Sequence, residues 1–327
     1  MSIETIKDFH LNSYEYDKVD NPRYGLGRKV YFTTDNQYAI SLYEPNLITD
    51  DLVLRLRYII FYFSKLIFDR PGGDFFKNIF CWPKSLIFEN NNILGTVTPV
   101  YPKKYFFEAQ QSNNQSQILP GTLKDPCWYA SAYNYITFVP EKEKGNLLGL
   151  LNVCLNLSRG IHKLHEFDLL PANISFNNCL IDPVSGGAII KELTHLIIKG
   201  IPNYQQIETL EFMAPELVKN RSSKSNKIPH SKETDHHALA VLIYYLLFHR
   251  HPLLGSARYH NDEDMNMYEL LGNNPIFIEN PDDQSNILDL KHQNHNFLPW
   301  VDTSKTPFSV LGPYLSKLFT RSFITGL

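Results

Sequence analysis

The chain has 327 residues, 43% of them hydrophobic, which is enough for one large bilobal domain or two ordinary ones. Its net charge of −3 supplies neither the basic surface expected of a nucleic-acid-binding protein nor an acidic tail. Its four cysteines contain no CxxC pair, which argues against a zinc knuckle or a disulfide framework and favours a reducing compartment. The N-terminus lacks the apolar core of a signal peptide, and no apolar run is long enough to span a bilayer. We therefore expect a cytoplasmic protein without a nucleic-acid or membrane partner.

The first hundred residues are predicted to form two hairpins with a helix between them. Short β-type runs at Val30–Phe32 and Tyr38–Leu42 flank a turn-rich tetrad, which predicts the first hairpin. Apolar residues at helical spacing predict a helix over Asp51–Leu66. The second hairpin is predicted from Ser85–Glu89 and Ile93–Val97, on either side of three asparagines. The predicted order is strand, strand, helix, strand, strand.

The rest of the chain is predicted to be mainly helical. Helical periodicity predicts helices at Leu147–Leu164 and Tyr314–Phe323. Ala238–Phe248 is apolar on nearly all faces, which is typical of a helix buried in the centre of a lobe. Two short buried strands are predicted at Cys179–Ile181 and Ala188–Ile190. A strand-rich part followed by a helical part indicates an α+β fold.

The segment from Leu164 to Pro183 has the spacing of a protein-kinase catalytic loop. In the kinase pattern, a helix ending in Leu-His is followed after five residues by His-Arg-Asp, and an Asn lies five residues after that Asp. Here five residues separate Leu164-His165 from Pro171-Ala172-Asn173, and Asn178 lies five residues after Asn173. The spacing has no gap, but Asn173 stands where the catalytic base belongs.

Other segments resemble landmarks of the protein-kinase superfamily, in the expected order along the chain. In the N-terminal part, Gly25, Gly27 and Val30 resemble a shortened glycine-rich loop. Ala39 and Ser41 lie in a segment that resembles the Val-Ala-Ile-Lys strand. In the C-terminal part they are the end of an activation segment, the start of a large-lobe helix and its His-Pro end, at Thr209–Glu216, Thr234-Asp235 and His251-Pro252-Leu253. The resemblance implies a bilobal protein-kinase-like fold, with a small β-rich N-lobe at residues 1–102 and a large, mainly helical C-lobe at residues 103–327. Whether the C-lobe continues past residue 327 is left open.

The residues that phosphoryl transfer needs are depleted. The reaction requires a Lys on the nucleotide phosphates, a Glu that holds this Lys, ligands for Mg²⁺, and a base near the hydroxyl nucleophile. By the resemblance, the Lys position is Ser41, the helix expected to supply the Glu contains none, and the base position is Asn173. A neutral hydroxyl cannot neutralise phosphate charge, and an amide cannot accept the substrate proton.

Some positions leave room for catalysis. Lys29, in the glycine-rich loop, could supply the missing positive charge, as in some kinases, and Asp168 could serve as the base under a rival alignment. The metal position is Glu192 in the favoured alignment and Thr194 after a shift of two residues. Asn178 is either a metal ligand or a side chain that satisfies backbone groups of the loop, and the second interpretation is favoured. If the domain is inactive, its nucleotide site is vestigial and comprises the glycine-rich loop, the Ala39–Ser41 strand, Lys29 and Asn178.

Asp235 and Glu216 are expected to have structural roles, because the matching kinase residues bond the catalytic-loop backbone and a late arginine. The sequence thus predicts a pseudokinase, a scaffold or allosteric regulator that requires no cofactor and whose partner is another protein in signalling or stress response. The alternatives are an atypical active Ser/Thr kinase that uses ATP and Mg²⁺ through the non-standard residues above, and a module that senses ATP without turnover. Asn178–Pro183 also resembles the loop of bacterial kinase-like proteins of tellurite-resistance-type loci.

Overall fold

The computed structural model describes residues 3–18, 23–25, 27–89, 92–108, 118–202, 209–221, 228–288, 308 and 312–325. The chain divides into two compact units. The first comprises Met1–Lys103, His162–Pro171 and Ile189–Gln206, and the second comprises Lys104–Ile161, Ala172–Ala188 and Ile207–Leu327. The first unit contains a five-stranded sheet, and helices predominate in the second unit. This confirms the predicted α+β class. The return of two later segments to the first unit was not indicated by the sequence pattern.

The first unit opens with an antiparallel hairpin that is additional to the two predicted hairpins. Its strands are β1 (Ile3–Lys7) and β2 (Ser13–Asp17). Tyr14 and Tyr16 of β2 are buried against the larger sheet, whereas the residues between and beside them are more exposed. This alternation of tyrosines with polar residues is the period of a half-buried strand, so the signal was present in the sequence.

A five-stranded antiparallel sheet follows. Its strands are β3 (Arg23–Gly25), β4 (Arg28–Phe32), β5 (Tyr38–Tyr43), β6 (Ser85–Glu89) and β7 (Asn92–Pro99), in the spatial order β3-β4-β5-β7-β6. The pairings of β4 with β5 and of β6 with β7 confirm the two predicted hairpins. The tyrosines of the N-terminal hairpin cover one face of this sheet, around Ile40 and Val97.

A helical segment covers the other face of the sheet. α1 (Asp50–Arg57) and α2 (Ser64–Phe68) are joined by π-helical turns at Tyr58–Phe63, and α3 (Gly73–Lys77) comes next. The predicted helix is therefore confirmed. Thr49 caps it, because its hydroxyl accepts a hydrogen bond from the amide of Leu52 at 3.2 Å. The apolar face of the helix packs against sheet residues; this cluster comprises Tyr43, Leu52, Leu56, Ile60, Leu86 and Ile93.

After residue 103 the chain is mainly helical. The next helices are α4 (Cys127–Ala130), α5 (Ala132–Thr137) and α6 (Leu147–His165). Four short strands follow, β8 (Leu169–Leu170), β9 (Cys179–Asp182), β10 (Gly187–Ile190) and β11 (Ile197–Ile198), of which β8 pairs with β11 and β9 with β10. The last helices are α7 (Pro215–Asn220), α8 (Lys232–Phe248), α9 (Glu263–Tyr268) and α10 (Gly312–Thr320).

α8 lies at the centre of the second unit. Val241, Leu242 and Tyr244 are completely buried, as expected for a helix that is apolar all round. The helix begins at Lys232, earlier than its apolar run, because Ser231 and Thr234 cap its first turn reciprocally. In the described part of the chain, no helix has both the length and the apolar character needed to cross a membrane.

Candidate functional site

Ser41 lies on the face of the sheet that packs against α1, and Lys29 lies on the opposite face. In the ladder between β4 and β5, Val30 is paired with Ser41 and Arg28 with Tyr43. Directly paired residues point to the same face and successive residues to opposite faces. Ser41 is buried, whereas Lys29 is exposed. The positive side chain that β4 presents on the Ser41 face is therefore Arg28 and not the predicted Lys29.

Arg28 forms an ion pair with Glu192, the residue assigned to the metal position. Its Nη2 contacts Glu192 Oε2, and its Nη1 donates to Thr194 Oγ1 at 3.4 Å. Only 11% of the Arg28 side chain and 29% of the Glu192 side chain are exposed. Thr194, the alternative metal residue, is buried in the same cluster. The structure thus brings both candidates for the metal position into contact with one arginine.

The Glu192 carboxylate is held in its charged form. Burial alone would raise its pKa, but the hydrogen bond with His195 and the charge of Arg28 lower the pKa to about 2. The backbone of Glu192 has a φ of 60°, in the left-handed region that residues other than glycine rarely adopt. An incoming Mg²⁺ would have to displace the arginine from this carboxylate. The group therefore fits the role of an ion-pair partner better than that of a metal ligand.

α1 carries a buried arginine on the helix where the resemblance implies a glutamate. Arg55 is 3% exposed, and its Nη1 donates to the backbone carbonyl of Pro202 at 3.2 Å. Burial lowers the pKa of this guanidinium. The spacing of Arg55 from Leu52 and Leu56 places all three on one helix face, which is the sequence signal that could have identified it.

The glycine-rich segment leaves little free space at Gly27. This residue has a φ of 71°, and a Cβ built on it would lie 1.9 Å from Leu47 Cδ1. Leu47 belongs to the loop after β5, and the amide of Glu44 in that loop donates to the Gly27 carbonyl at 2.8 Å. Gly25 is the last residue of β3, and Ala39 is half-buried on β5. Position 27 favours glycine because L side chains rarely adopt this positive φ, and a Cβ there would also require the Leu47 side chain to move.

The two candidate bases lie on either side of β8 in the chain. Asp168 is in an exposed turn between α6 and β8, with a φ of 54° and its amide bonded to the His165 carbonyl at 3.2 Å. Asn173 comes after β8, in the loop that leads to β9. Of the two candidates, Asn173 is therefore the one that belongs to the loop after β8.

In the second unit, the loop after β8 is held by side chains that bind backbone groups. Asp235 Oδ1 accepts a hydrogen bond from the amide of Ala172 at 3.0 Å, and Asn178 Nδ2 donates to the carbonyl of Asn173 at 2.7 Å. The Thr209 hydroxyl lies 3.5 Å from Asn173 Oδ1. A cavity of about 20 Å³ beside Asn173 and Asp235 has room for roughly one water molecule. The amide nitrogen of Asn178 is thus engaged by the loop itself.

Glu216 lies apart from this loop. It is an exposed residue in the first turn of α7 and lines a cavity of about 280 Å³ together with Glu233, His237 and Phe323. Across the residues that the structure describes, no three or more His, Cys, Asp or Glu side chains are grouped so that they could hold a metal ion.

No protein-family profile matches the sequence, and no curated protein matches it. Among solved structures, one that is similar is ROP2 from Toxoplasma gondii, described as a virulence factor with a protein-kinase fold and no enzymatic activity. The alignment covers 83% of this chain and 72% of that chain, with 11% sequence identity and a TM-score of 0.47.

Proposed function

We propose that this chain is a protein-kinase-like pseudokinase, a domain that acts as a scaffold or allosteric regulator of another protein and does not transfer phosphate efficiently. The observation that carries the proposal is the ion pair between Arg28 and Glu192. Phosphoryl transfer needs a positive side chain on the phosphates and an acidic one on Mg²⁺. A Glu192 carboxylate that is bound by Arg28 is not available as a ligand for Mg²⁺.

The other candidate positions support the same function. Ser41 is a buried neutral residue, and Lys29 is exposed on the opposite face of the sheet. Asn178 donates its amide to the carbonyl of Asn173, which favours a structural role over metal binding. The ordered series of kinase-like motifs supports the fold assignment. The similarity of Asn178–Pro183 to tellurite-resistance-associated proteins supports a bacterial, cytoplasmic signalling role.

The decisive experiment is a phosphotransfer assay with γ-labelled ATP and either Mg²⁺ or Mn²⁺. We expect no incorporation above background in the wild type or in the variants Lys29→Met, Asp168→Asn and Glu192→Gln, while an active kinase in the same buffer labels its substrate. Incorporation by the wild type that any of these variants abolishes would identify an atypical active kinase and overturn the proposal.

A nucleotide-sensing module is distinguished by thermal unfolding with ATP and with adenosine. A ligand that binds only the native state raises the unfolding midpoint as its concentration increases. For a scaffold with a vestigial nucleotide site, we expect adenosine to leave the midpoint unchanged. A rise with both adenosine and ATP would favour the sensing module, because the base and ribose would then be recognised.

A further inference from the structure

The layer between α1 and the sheet contains an arginine without a bonded carboxylate among the described residues. Arg28 is neutralised by Glu192, whereas Arg55 donates to a neutral backbone carbonyl, that of Pro202. Asp51 lies one turn before Arg55 but is half-exposed at the start of the helix. A guanidinium that is 3% exposed and lacks a close counter-charge is unfavourable, so the site favours a negative ligand.

Three polar atoms of this layer are buried and have no partner with hydrogen-bond geometry among the described residues. They are Arg28 Nε, Tyr43 Oη and Arg55 Nε. Tyr43 is the direct cross-strand neighbour of Arg28 and packs against Leu52 and Leu56, which flank Arg55 on α1. The three unpaired atoms thus belong to side chains that converge on one region of the first unit. Buried groups of this kind are normally bonded to protein, to water or to a ligand.

We propose that Arg28, Tyr43 and Arg55 form a binding site for a small oxyanion of the phosphate class. The two guanidinium groups and the phenol offer N–H and O–H donors, and phosphate oxygens accept hydrogen bonds from such groups strongly. The bound anion supplies the negative charge that Arg55 lacks. Burial lowers the pKa of Arg55, and the nearby charge of Asp51 offsets only part of this effect. The phosphoryl group could be free or part of a nucleotide.

The test is thermal unfolding of the full chain in sodium phosphate, compared with sodium chloride at the same ionic strength and pH. We expect the midpoint to rise with phosphate concentration and to change little with chloride, because phosphate binds the native state. In Arg55→Met we expect a higher midpoint than in the wild type without phosphate, since the unneutralised buried charge is gone. The rise with phosphate should be lost in the same variant.

Two further variants separate binding from general effects. Arg57→Met removes an exposed arginine of the same helix and should keep the full response to phosphate. Tyr43→Phe removes one donor and should weaken phosphate binding at least about tenfold. The proposal is overturned if the wild type shows no rise, if Arg55→Met retains it, or if Arg55→Met is less stable than the wild type without phosphate. A rise that persists in Arg55→Met would reflect the general stabilising action of phosphate.

Thermal unfolding with ADP in the absence of metal, and with adenosine, identifies the source of the phosphoryl group. A rise with ADP that depends on Arg55, together with none from adenosine, assigns the site to a nucleotide phosphate. A rise with inorganic phosphate alone assigns it to a free phosphate or to a phosphorylated side chain. Both results support the site, and neither depends on the proposed lack of phosphotransfer, since labelled-ATP incorporation is measured separately.

Discussion

The carboxylate of Asp235 fixes the backbone at Ala172, whose amide donates to Oδ1 at 3.0 Å. Asp235 is 2% exposed and lies in the first turn of α8, whereas Ala172 lies in the loop after β8. Ala172 has a φ of 58°, a conformation that residues other than glycine keep only where the surroundings support it. This bond therefore stabilises the loop conformation around Asn173, whether or not the loop takes part in chemistry.

Replacement of Asp235 should destabilise the protein, and more so when the new side chain has no oxygen that can accept the bond. Asp235→Ala leaves the Ala172 amide unpaired, and we expect a loss of about 1.5–3 kcal/mol in the free energy of unfolding. Asp235→Asn keeps an oxygen that can accept the bond and should cost less. Urea denaturation at pH 7 measures both. If Asp235→Ala lies within ~0.5 kcal/mol of the wild type, the bond does not stabilise the loop.

The elements that could be predicted from the sequence are those with a strong local period. Apolar spacing identified α6, and β-type runs around turn residues identified the β4–β5 and β6–β7 hairpins. The loop spacing singled out Asn173 and Asn178. The polar contacts of the site depend on distant pairings. Arg28 was passed over for Lys29 because the register between β4 and β5 decides which of the two shares a face with Ser41.

Arg55 illustrates the same limit on a helix. Its position on the buried face follows from helical periodicity, but its acceptor, the carbonyl of Pro202, lies 147 residues later in the chain. The ion pair of Arg28 with Glu192 spans 164 residues. A local pattern contains no information on such partners, so the sequence could indicate missing catalytic residues but not the contacts that replace them.

A buried ion cluster in the second unit should be sensitive to loss of its cation. Lys124 Nζ lies 2.9 Å from Glu143 Oε2 and 3.6 Å from Asp182 Oδ1, and each side chain is 5% or 6% exposed. Lys124→Met leaves two buried carboxylates without their cation, and we expect it to destabilise the protein by about 3–5 kcal/mol. The measurement is chemical denaturation at pH 7.

The control for that experiment is an exposed ion pair between a lysine and a glutamate in the same unit. Lys142 lies 2.6 Å from Glu108, with side chains 57% and 72% exposed. Exposed pairs contribute little, so Lys142→Met should change the free energy of unfolding by less than about 1 kcal/mol. Equal losses in the two variants would mean that burial of the Lys124 cluster does not decide its contribution.

The ion pair between Arg28 and Glu192 should make stability depend on acid pH. The folded-state pKa of Glu192 is about 2, against an ordinary value of 4.5, because the hydrogen bond with His195 and the charge of Arg28 outweigh burial. The folded state therefore binds fewer protons than the unfolded state between these values. The contribution of the pair is fully present above about pH 4.5 and is lost as the pH falls towards 2. In Glu192→Gln, this pH-dependent contribution to the free energy of unfolding is absent.

The measurement is the free energy of unfolding of wild type and Glu192→Gln between pH 7 and pH 2.5. We expect the wild type to be more stable at neutral pH and the difference to shrink below pH 4.5. Glu192→Gln leaves Arg28 without its counter-charge, and the double variant with Arg28→Met should recover part of the loss. A difference that is constant across the pH range would show that Glu192 has no depressed pKa.

His251 should produce a second pH dependence, in a higher range. Its Nδ1 accepts a hydrogen bond from the amide of Leu253 at 2.9 Å, so Nε2 carries the proton and donates to the Glu211 carbonyl at 2.8 Å. Burial lowers the pKa of this imidazole from 6.5 to about 3. Between these values the unfolded state binds the extra proton, so stability falls as the pH decreases, by up to about 1.4 kcal/mol per pH unit.

Since His251→Gln cannot take up this proton, its free energy of unfolding should fall less steeply than that of the wild type between pH 6.5 and pH 4.5. Identical slopes in urea denaturation would contradict a neutral buried His251, whatever the variant does to stability at pH 7.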